Sequence, residues 1–265
     1  MSPRAVSVLS GVDLIAAEDT RHSAHLLQAF AITTPCQALH EHNERSQTPQ
    51  LIERLRAGQS LALISDAGTP LLSDPGYTLV RAAQQQGITV IPVPGASALL
   101  AALVVAGLPC DRFVFEGFLS SRAKARQDRL QQLAAESRTM VFYEAPHRIV
   151  ATLADMTRIF GGQREALLAR ELTKLYETLR HATLQGLQQF LEQDPGQCRG
   201  EFVVVVSGNP ASSQQASDAE LQRVLGRLLE ELPLKKAVAV ARDLTGEARN
   251  RLYDLALQLG ASGGE

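Results

Sequence analysis

The chain has 265 residues, 45% of them hydrophobic, and sets 26 Lys plus Arg against 28 Asp plus Glu for a formal net charge of −2. That length allows one large or two ordinary domains with buried cores, and the near-neutral charge excludes a chain that coats nucleic acid over its whole surface, so any basic footprint must be local. Cys36, Cys110 and Cys198 form no C-x-x-C pair and the longest apolar run, 98–106, is far short of a membrane span; a disulfide framework, a zinc site and a membrane partner lose support, and a soluble cytoplasmic protein is expected.

Ser2-Pro3 is a cap and first-turn pair, so residues 3–10 read as a helix ending at Gly11. A short strand at 12–16 runs into the charged loop Glu18-Asp19-Thr20-Arg21, and a helix follows at 23–30. A weak strand at 36–39 leads to the polar cluster His40-Glu41-His42-Asn43-Glu44, and a helix at 47–57 stops at Gly58. Leu61 to Ile64 then reads as a buried parallel strand feeding Ser65-Asp66-Ala67-Gly68-Thr69-Pro70 and Ser73-Asp74-Pro75-Gly76-Tyr77. Pro75, capped by Asp74, opens a helix to Gln86; Ile88 to Val93 reads as another strand, turned by Pro94-Gly95-Ala96-Ser97-Ala98 into an Ala/Leu-rich helix to about Ala106. A strand at 113–116 is expected to close this first α/β layer. Ligands in such sheets sit beyond the carboxyl ends of the strands, which points to the polar loops.

The second half changes rhythm. A polar helix at 120–137, a strand at 139–144, a helix from Ala145-Pro146-His147 to Gly161, a strand at 166–170, a helix at 183–193 and an apolar strand at 201–207 predict a separate α/β layer of mixed strand direction. Residues 211–217 read as a linker, and helices are expected at 218–231, 234–244 and 247–259. The domains drawn are therefore 1–116, 117–210, the linker 211–217 and a helical region 218–265.

His22 with His25, and His40 with His42, lack a third ligand at a recognised interval, so no metal site is assigned. The phosphate-binding, serine-hydrolase and dinucleotide fingerprints are all absent. What remains is a set of polar loops at strand ends, including Tyr143-Glu144 and Arg170 to Lys174 from the second half.

Ala16-Ala17-Glu18-Asp19-Thr20-Arg21, His40 to Glu44, Ser65 to Pro70 with Ser73 to Tyr77, Pro94 to Ala98, Phe142-Tyr143-Glu144, Ala169 to Lys174 and Leu232-Pro233-Leu234-Lys235-Lys236 occur in one order. In that order they resemble the ribosomal RNA small subunit methyltransferase I branch of the tetrapyrrole methylase superfamily, over nearly the whole chain. The resemblance implies an α/β fold of two domains with the cofactor cleft between them, plus a C-terminal helical extension. It also implies a homodimer that uses S-adenosylmethionine to methylate the 2′-oxygen of a cytidine in small-subunit ribosomal RNA, within the 30S subunit. Cofactor contacts are expected at Ser65, Asp66, Ala67, Gly68, Thr69, Pro94, Gly95, Ala96, Ser97, Ala98, Tyr143 and Glu144. The substrate side is expected at Glu18, Asp19, Arg21 and Lys174, with His42 a further candidate and the base unassigned. Ala96 departs from a proline frequent in relatives.

Methyl transfer from a sulfonium needs neither a metal nor a covalent nucleophile, only in-line positioning and proton removal, so the missing motifs are consistent with it. RNA contacts are expected from Arg122, Lys124, Arg126 and Arg129, and from Lys235, Lys236, Arg242, Arg249 and Arg251. A small-molecule methyltransferase on the same scaffold and a non-catalytic RNA-binding or assembly protein remain open. Relatives open with a strand and a loop of the type T-P-I-G-N-L that is not found ahead of Ser2. The expectation is an unfilled slot in the first sheet, with an internal Met taken as the start of a longer protein.

Overall fold

The computed structural model describes residues 1–66 and 68–262, with the side chains of 210–217 and 260–262 left aside. The first unit is a parallel sheet of three strands in the order β2-β1-β3, formed by β1 (Leu14–Ala17), β2 (Cys36–Ala38) and β3 (Leu61–Ile64). Helices α1 (Pro3–Gly11), α2 (Thr20–Ala29), α3 (Glu44–Arg56) and α4 (Tyr77–Gln85) connect and cover them. Ser2 caps α1 by accepting the Ala5 N–H at 3.2 Å. Central β1 is buried at every position, as a strand covered on both faces must be.

β3 is only half-buried, and its outer edge has no ladder partner among the described residues. The strand expected at 88–93 does not form: these residues have no ladder, and Ile91 is 65% exposed. Their Val/Ile-rich pattern suits a pleated surface, but a strand exists only where a neighbour takes its backbone hydrogen bonds.

The second unit is larger than expected because it takes the last elements assigned to the first. β4 (Phe113–Phe118) pairs in parallel with β5 (Thr139–Glu144), not with β3. Beyond β5 the ladder is antiparallel, through β8 (Phe202–Val206) and β6 (Glu165–Arg170) to β7 (Thr178–Thr183), in the order β4-β5-β8-β6-β7. β7 was not anticipated; its Thr-Leu-Arg-His-Ala-Thr sequence has weak alternation, as a solvated edge strand allows. Central β8 reads Phe-Val-Val-Val-Val and is buried on both faces. Phe202, Val204 and Val206 meet α7 (Ile149–Phe160) and α8 (Leu184–Gln193), and α6 (Ala123–Leu133) adds Leu130 and Leu133 to this core. Val203 and Val205 meet Leu99, Ala102 and Leu103 of α5 (Ala98–Val105). The boundary between the units therefore falls near residue 97 and not at 116, because α5 and β4 bury their apolar faces on the second sheet.

The polar segment 211–217 is not a loop. It forms the first turns of α9 (Pro210–Glu231), since it holds no Gly or Pro to break a helix and Pro210 sits where a first-turn proline is tolerated. α9 packs with α10 (Leu234–Thr245) and α11 (Arg249–Ser262) around Leu225, Val238 and Leu252. α10 ends at Gly246 in the left-handed conformation.

One contact fixes the long loop after β3. α4 starts at Tyr77, two residues later than Pro75, and no local side chain caps it. The buried Glu44 carboxylate at the start of α3 does so instead, accepting N–H groups of Gly76 (3.1 Å), Thr78 (2.7 Å) and Leu79 (3.3 Å). Gly76 has φ of 127°, and a Cβ there would collide with Leu63 of β3. Glu44→Ala is expected to lower stability by about 2–4 kcal/mol by orphaning these donors, and Glu44→Gln by clearly less. Chemical denaturation reads both, and a loss of under about 0.5 kcal/mol for the alanine variant would remove Glu44 from this role.

Candidate active site

Three parallel strands deliver their carboxyl ends to one edge, so the loops after Ala17, Ala38 and Ile64 converge there. Asp19 caps α2, accepting the Arg21 N–H at 2.8 Å, while its own N–H donates to Asp66 Oδ1 at 3.3 Å. Asp66 Oδ1 also lies 3.5 Å from the Ser23 hydroxyl, so Asp66 ties the first loop to the third. α2 begins at Thr20 and takes in half of the charged loop expected there. Arg21 consequently leans back on Asp19 at 3.2 Å with its side chain 91% exposed.

The loop from Ser65 to Gly76 crosses from the first sheet to the second. Leu72 packs into the core around Val203 and Val205, with Tyr143 and Phe115. Gly117 of β4, at φ of 64°, is approached by Ser73: a Cβ there would stand 2.8 Å from the Ser73 hydroxyl. Leu71 and Ser73 adopt φ of 73° and 71°, a conformation that non-glycine residues hold only when their surroundings fix it. On the other flank the Thr69 hydroxyl donates to the Ala96 carbonyl at 2.9 Å, and Gly68, at φ of 96°, faces the same carbonyl. The 65–70 and 94–98 loops thus form one wall. Ala67 lies outside the described residues.

The second unit adds Tyr143, whose hydroxyl accepts the Leu99 N–H of α5 at 3.2 Å and whose ring sits edge-on to Phe115 and Phe118. The Ser65, Ser97 and His40 side chains each place a buried polar atom here without a well-formed hydrogen bond: two hydroxyls, Ser97 beside the Tyr143 phenol and Ser65 beside Asp74, and the His40 Nδ1. His42 stands edge-on to His40 with ring centroids 6.0 Å apart.

A knot of acid lies at the centre. Asp74 is pushed up to about 6, first by burial and then by the charges of Glu18 and Asp66; the nearby Ser65 hydroxyl opposes this without closing a well-formed bond. Glu18 is raised as well, by burial first and Asp66 second. Asp74 was legible only as a helix cap, and its place beside Glu18 depends on the crossing of the loop, which spacing does not reveal.

Glu18, Asp19, Ser65, Asp66, Gly68, Thr69, Ser97 and Tyr143 therefore meet, with Arg21 at the rim, Pro94, Gly95 and Ala96 along the exposed loop ahead of α5, and Ala98 as the first residue of α5. Two expected members do not join them. Glu144 is buried in the second unit, bonded to Thr152 at 2.6 Å and paired with Arg148 at 2.7 Å, where it braces the start of α7. Lys174 is held between Glu171 (3.0 Å) and Glu201 (2.9 Å) as a loop brace. Among the basic residues, Arg126 is buried against Asp155 at 2.8 Å, and Arg129 and Arg251 are ion-paired. Exposed Lys235, Lys236 and Arg249 have no ion-pair partner among the described residues.

Residues 1–188 match the tetrapyrrole (corrin/porphyrin) methylases, and residues 215–260 match the RsmI C-terminal HTH domain. The chain is 56% identical over 259 residues, 97% of its length and 92% of the relative's, to a ribosomal RNA small subunit methyltransferase I of Pseudomonas aeruginosa. It is 46% identical over 258 residues to the protein of the same name from Escherichia coli O157:H7, covering 97% and 90% of the two chains. In fold it is similar to a diphthine synthase (TM-score 0.58, 16% identity, 78% and 84% covered). It is also similar to a Thermus thermophilus uroporphyrin-III C-methyl transferase complexed with S-adenyl homocysteine (TM-score 0.52, 18% identity, 77% and 90% covered).

The acid cluster gives a pH dependence whose sign is fixed. Asp74 holds its proton in the folded chain up to about pH 6 but releases it near the ordinary 3.8 when unfolded. Between those values the folded state binds more protons, so this group's contribution makes stability fall as pH rises. Asp74→Asn is expected to remove that fall and to be more stable than the parent at pH 7. Denaturation midpoints from pH 4 to 8 measure it; parallel curves for the two proteins would mean that Asp74 titrates normally.

Proposed function

The chain belongs to the tetrapyrrole (corrin/porphyrin) methylase family, in the branch of ribosomal RNA small subunit methyltransferase I, and from that premise we propose that it moves a methyl group from S-adenosylmethionine to the ribose 2′-oxygen of a cytidine in small-subunit ribosomal RNA. The observation that carries the reading is the meeting, at one cleft, of two buried hydroxyls without a well-formed hydrogen bond and a carboxyl group pushed up to about 6.

The residues fit that cofactor. An adenosine and an amino-acid end need polar partners set in a wall of small side chains; Ser65, Ser97 and Asp66 offer the first, and Gly68 with Gly95 to Ala98 the second. Bound there, S-adenosylmethionine supplies a methyl made electrophilic by its sulfonium. Tyr143 closes the site from the second unit.

A ribose hydroxyl is a weak acid, and a carboxylate held close to the working pH is suited to take its proton, an effect of about 10²–10⁴ in rate. Asp74, with Glu18 beside it, is in this reading the group that does so. Arg21, exposed at the rim and planar, suits an RNA phosphate. Lys235, Lys236 and Arg249, on the helical region matched to an HTH domain, supply further phosphate contacts, which favours RNA over a tetrapyrrole as acceptor. The protein in this reading is a cytoplasmic homodimer acting on the assembled 30S subunit; the outward apolar residues Leu100 and Val104 of α5 offer a surface for the second copy.

The test is incubation with methyl-tritiated S-adenosylmethionine and, separately, small ribosomal subunits, free ribosomal RNA and a tetrapyrrole precursor. Label is expected in the RNA of the subunits, in a dinucleotide that survives alkaline hydrolysis because its 2′-oxygen is blocked. Label on the tetrapyrrole, on a base, or on nothing would contradict the reading.

A further inference from the structure

Away from the acid cluster, the second unit carries a groove that the reaction does not use. One wall is the loop 171–177 after β6, the other the segment 194–200, which includes a short 3-10 turn at 195–198. Between them is a cavity of about 520 Å³, lined by Arg170, Tyr176, Asp194, Gln197 and Arg199 among others. That is within the range of small-ligand sites and large enough for a nucleotide.

The walls are built to hold their separation. The Arg170 guanidinium donates to the Arg199 carbonyl on one side (2.6 Å) and to the Tyr176 carbonyl on the other (3.5 Å), with Gln197 between (3.0 Å). Lys174 pins Glu171 to Glu201, and the Glu201 N–H returns to Glu171 at 2.9 Å. Glu171 and Thr173 sit at φ of 50° and 64°, and for a β-branched threonine that is a strained conformation. Strain maintained by so many bonds fixes what the loop displays: Leu175, 89% exposed, and Tyr176, 67% exposed. Among the described residues the Tyr176 ring stacks on no other aromatic ring and lies under no arginine.

Charge and position identify what fits. Asp194 is engaged by the Gly196 N–H and the Gln197 amide, and Glu171 by Lys174, whereas the Arg199 guanidinium has no carboxylate partner among the described residues. Cross-strand register aligns Glu144, Phe202 and Arg170. Arg170, which lines the groove, therefore lies at the same end of the sheet as Tyr143-Glu144, two strand spacings or about 10 Å across the ladder. That is one to two nucleotides along a single strand.

We propose that this groove binds one unpaired RNA nucleotide flanking the methylated one, its base stacked on Tyr176 and its phosphate on Arg199. Single-stranded RNA is commonly gripped by such stacking, which tolerates any base. Arg170 is a positioning residue that sets the width. The proposal rests on the RNA reading above.

The experiment compares Tyr176→Ala, Tyr176→Phe and Arg199→Glu in the full chain. Three quantities are measured: KM and kcat with small ribosomal subunits, S-adenosylmethionine affinity by calorimetry, and binding of a fluorescein-labelled single-stranded octaribonucleotide. Tyr176→Ala is expected to raise KM and weaken the oligonucleotide by about 5- to 100-fold, the range of one lost stack, with Tyr176→Phe close to the parent. Arg199→Glu should weaken both and reduce their salt dependence, and cofactor affinity should stay unchanged throughout. The site is overturned if Tyr176→Ala binds both RNAs like the parent, or if phenylalanine is as poor as alanine. It is equally overturned if light scattering shows that Tyr176→Ala dissociates a dimer, since a second copy would then be what covers the ring. Should the parent methylate no RNA, the functional reading fails, and the oligonucleotide still decides the groove.

Discussion

The cleft depends on a carboxylate that never enters it. Glu44 gathers three backbone N–H groups at the end of the Ser65–Gly76 loop and so fixes where that loop returns to the first unit. Its start is fixed by the β1–β3 ladder and by the Asp19–Asp66 bond. Between these anchors the chain is pressed onto the second sheet by Leu72 and by the approach of Ser73 to Gly117. A segment of twelve residues held in this way cannot relax the contacts it makes midway, which is why Leu71 and Ser73 keep positive φ, at a cost of about 1–3 kcal/mol each.

Electrostatics follow from that geometry. Bringing Asp74 against Glu18 and Asp66 in partial burial is unfavourable for three full charges, and the system relieves it by retaining protons. Burial and the same repulsion push Asp74 up to about 6, the kind of perturbed group that functional sites collect. By contrast, Glu144, Glu171 and Asp155 each face arginine or lysine and serve to hold the second unit rigid. The two units thus differ in how they treat acid: the first gathers carboxyl groups against one another, and the second sets these three against arginine or lysine.

Legibility in the sequence tracked whether a signal was local. Phe202–Val206 was readable because a strand covered on both faces is apolar at every position, Leu61–Ile64 as an apolar run ahead of a polar loop, and Thr139–Glu144 from its β-branched and aromatic residues. The mixed direction of the second layer and the polar loops at strand ends were readable too, from the rhythm of elements. Ile88 to Val93 misled because its side chains suit a strand whether or not a neighbour exists. Phe113–Phe118 was assigned to the wrong sheet because nothing in a strand's own residues names its partner. Lys174 and Glu144 stand inside motifs that the resemblance assigns to the substrate and to the cofactor respectively, but Lys174 is held between Glu171 and Glu201, and Glu144 between Arg148 and Thr152. Glu44 and Asp74 were legible only as members of polar motifs, Asp74 also as a helix cap, and neither the capping of α4 by Glu44 nor the place of Asp74 beside Glu18 could be read from spacing.

In the proposed reaction the Ser65–Gly76 loop, through Gly68 and its neighbours, seats S-adenosylmethionine. Calorimetric titration of that cofactor into the full chain and into Gly68→Val tests it most directly, because φ of 96° at this position admits glycine and strains valine while the added Cβ meets only ordinary contacts. The parent is expected to bind, and the variant to bind at least about tenfold more weakly while still unfolding cooperatively, at a melting temperature lowered only by the local strain. Equal affinities in two equally folded proteins would contradict it.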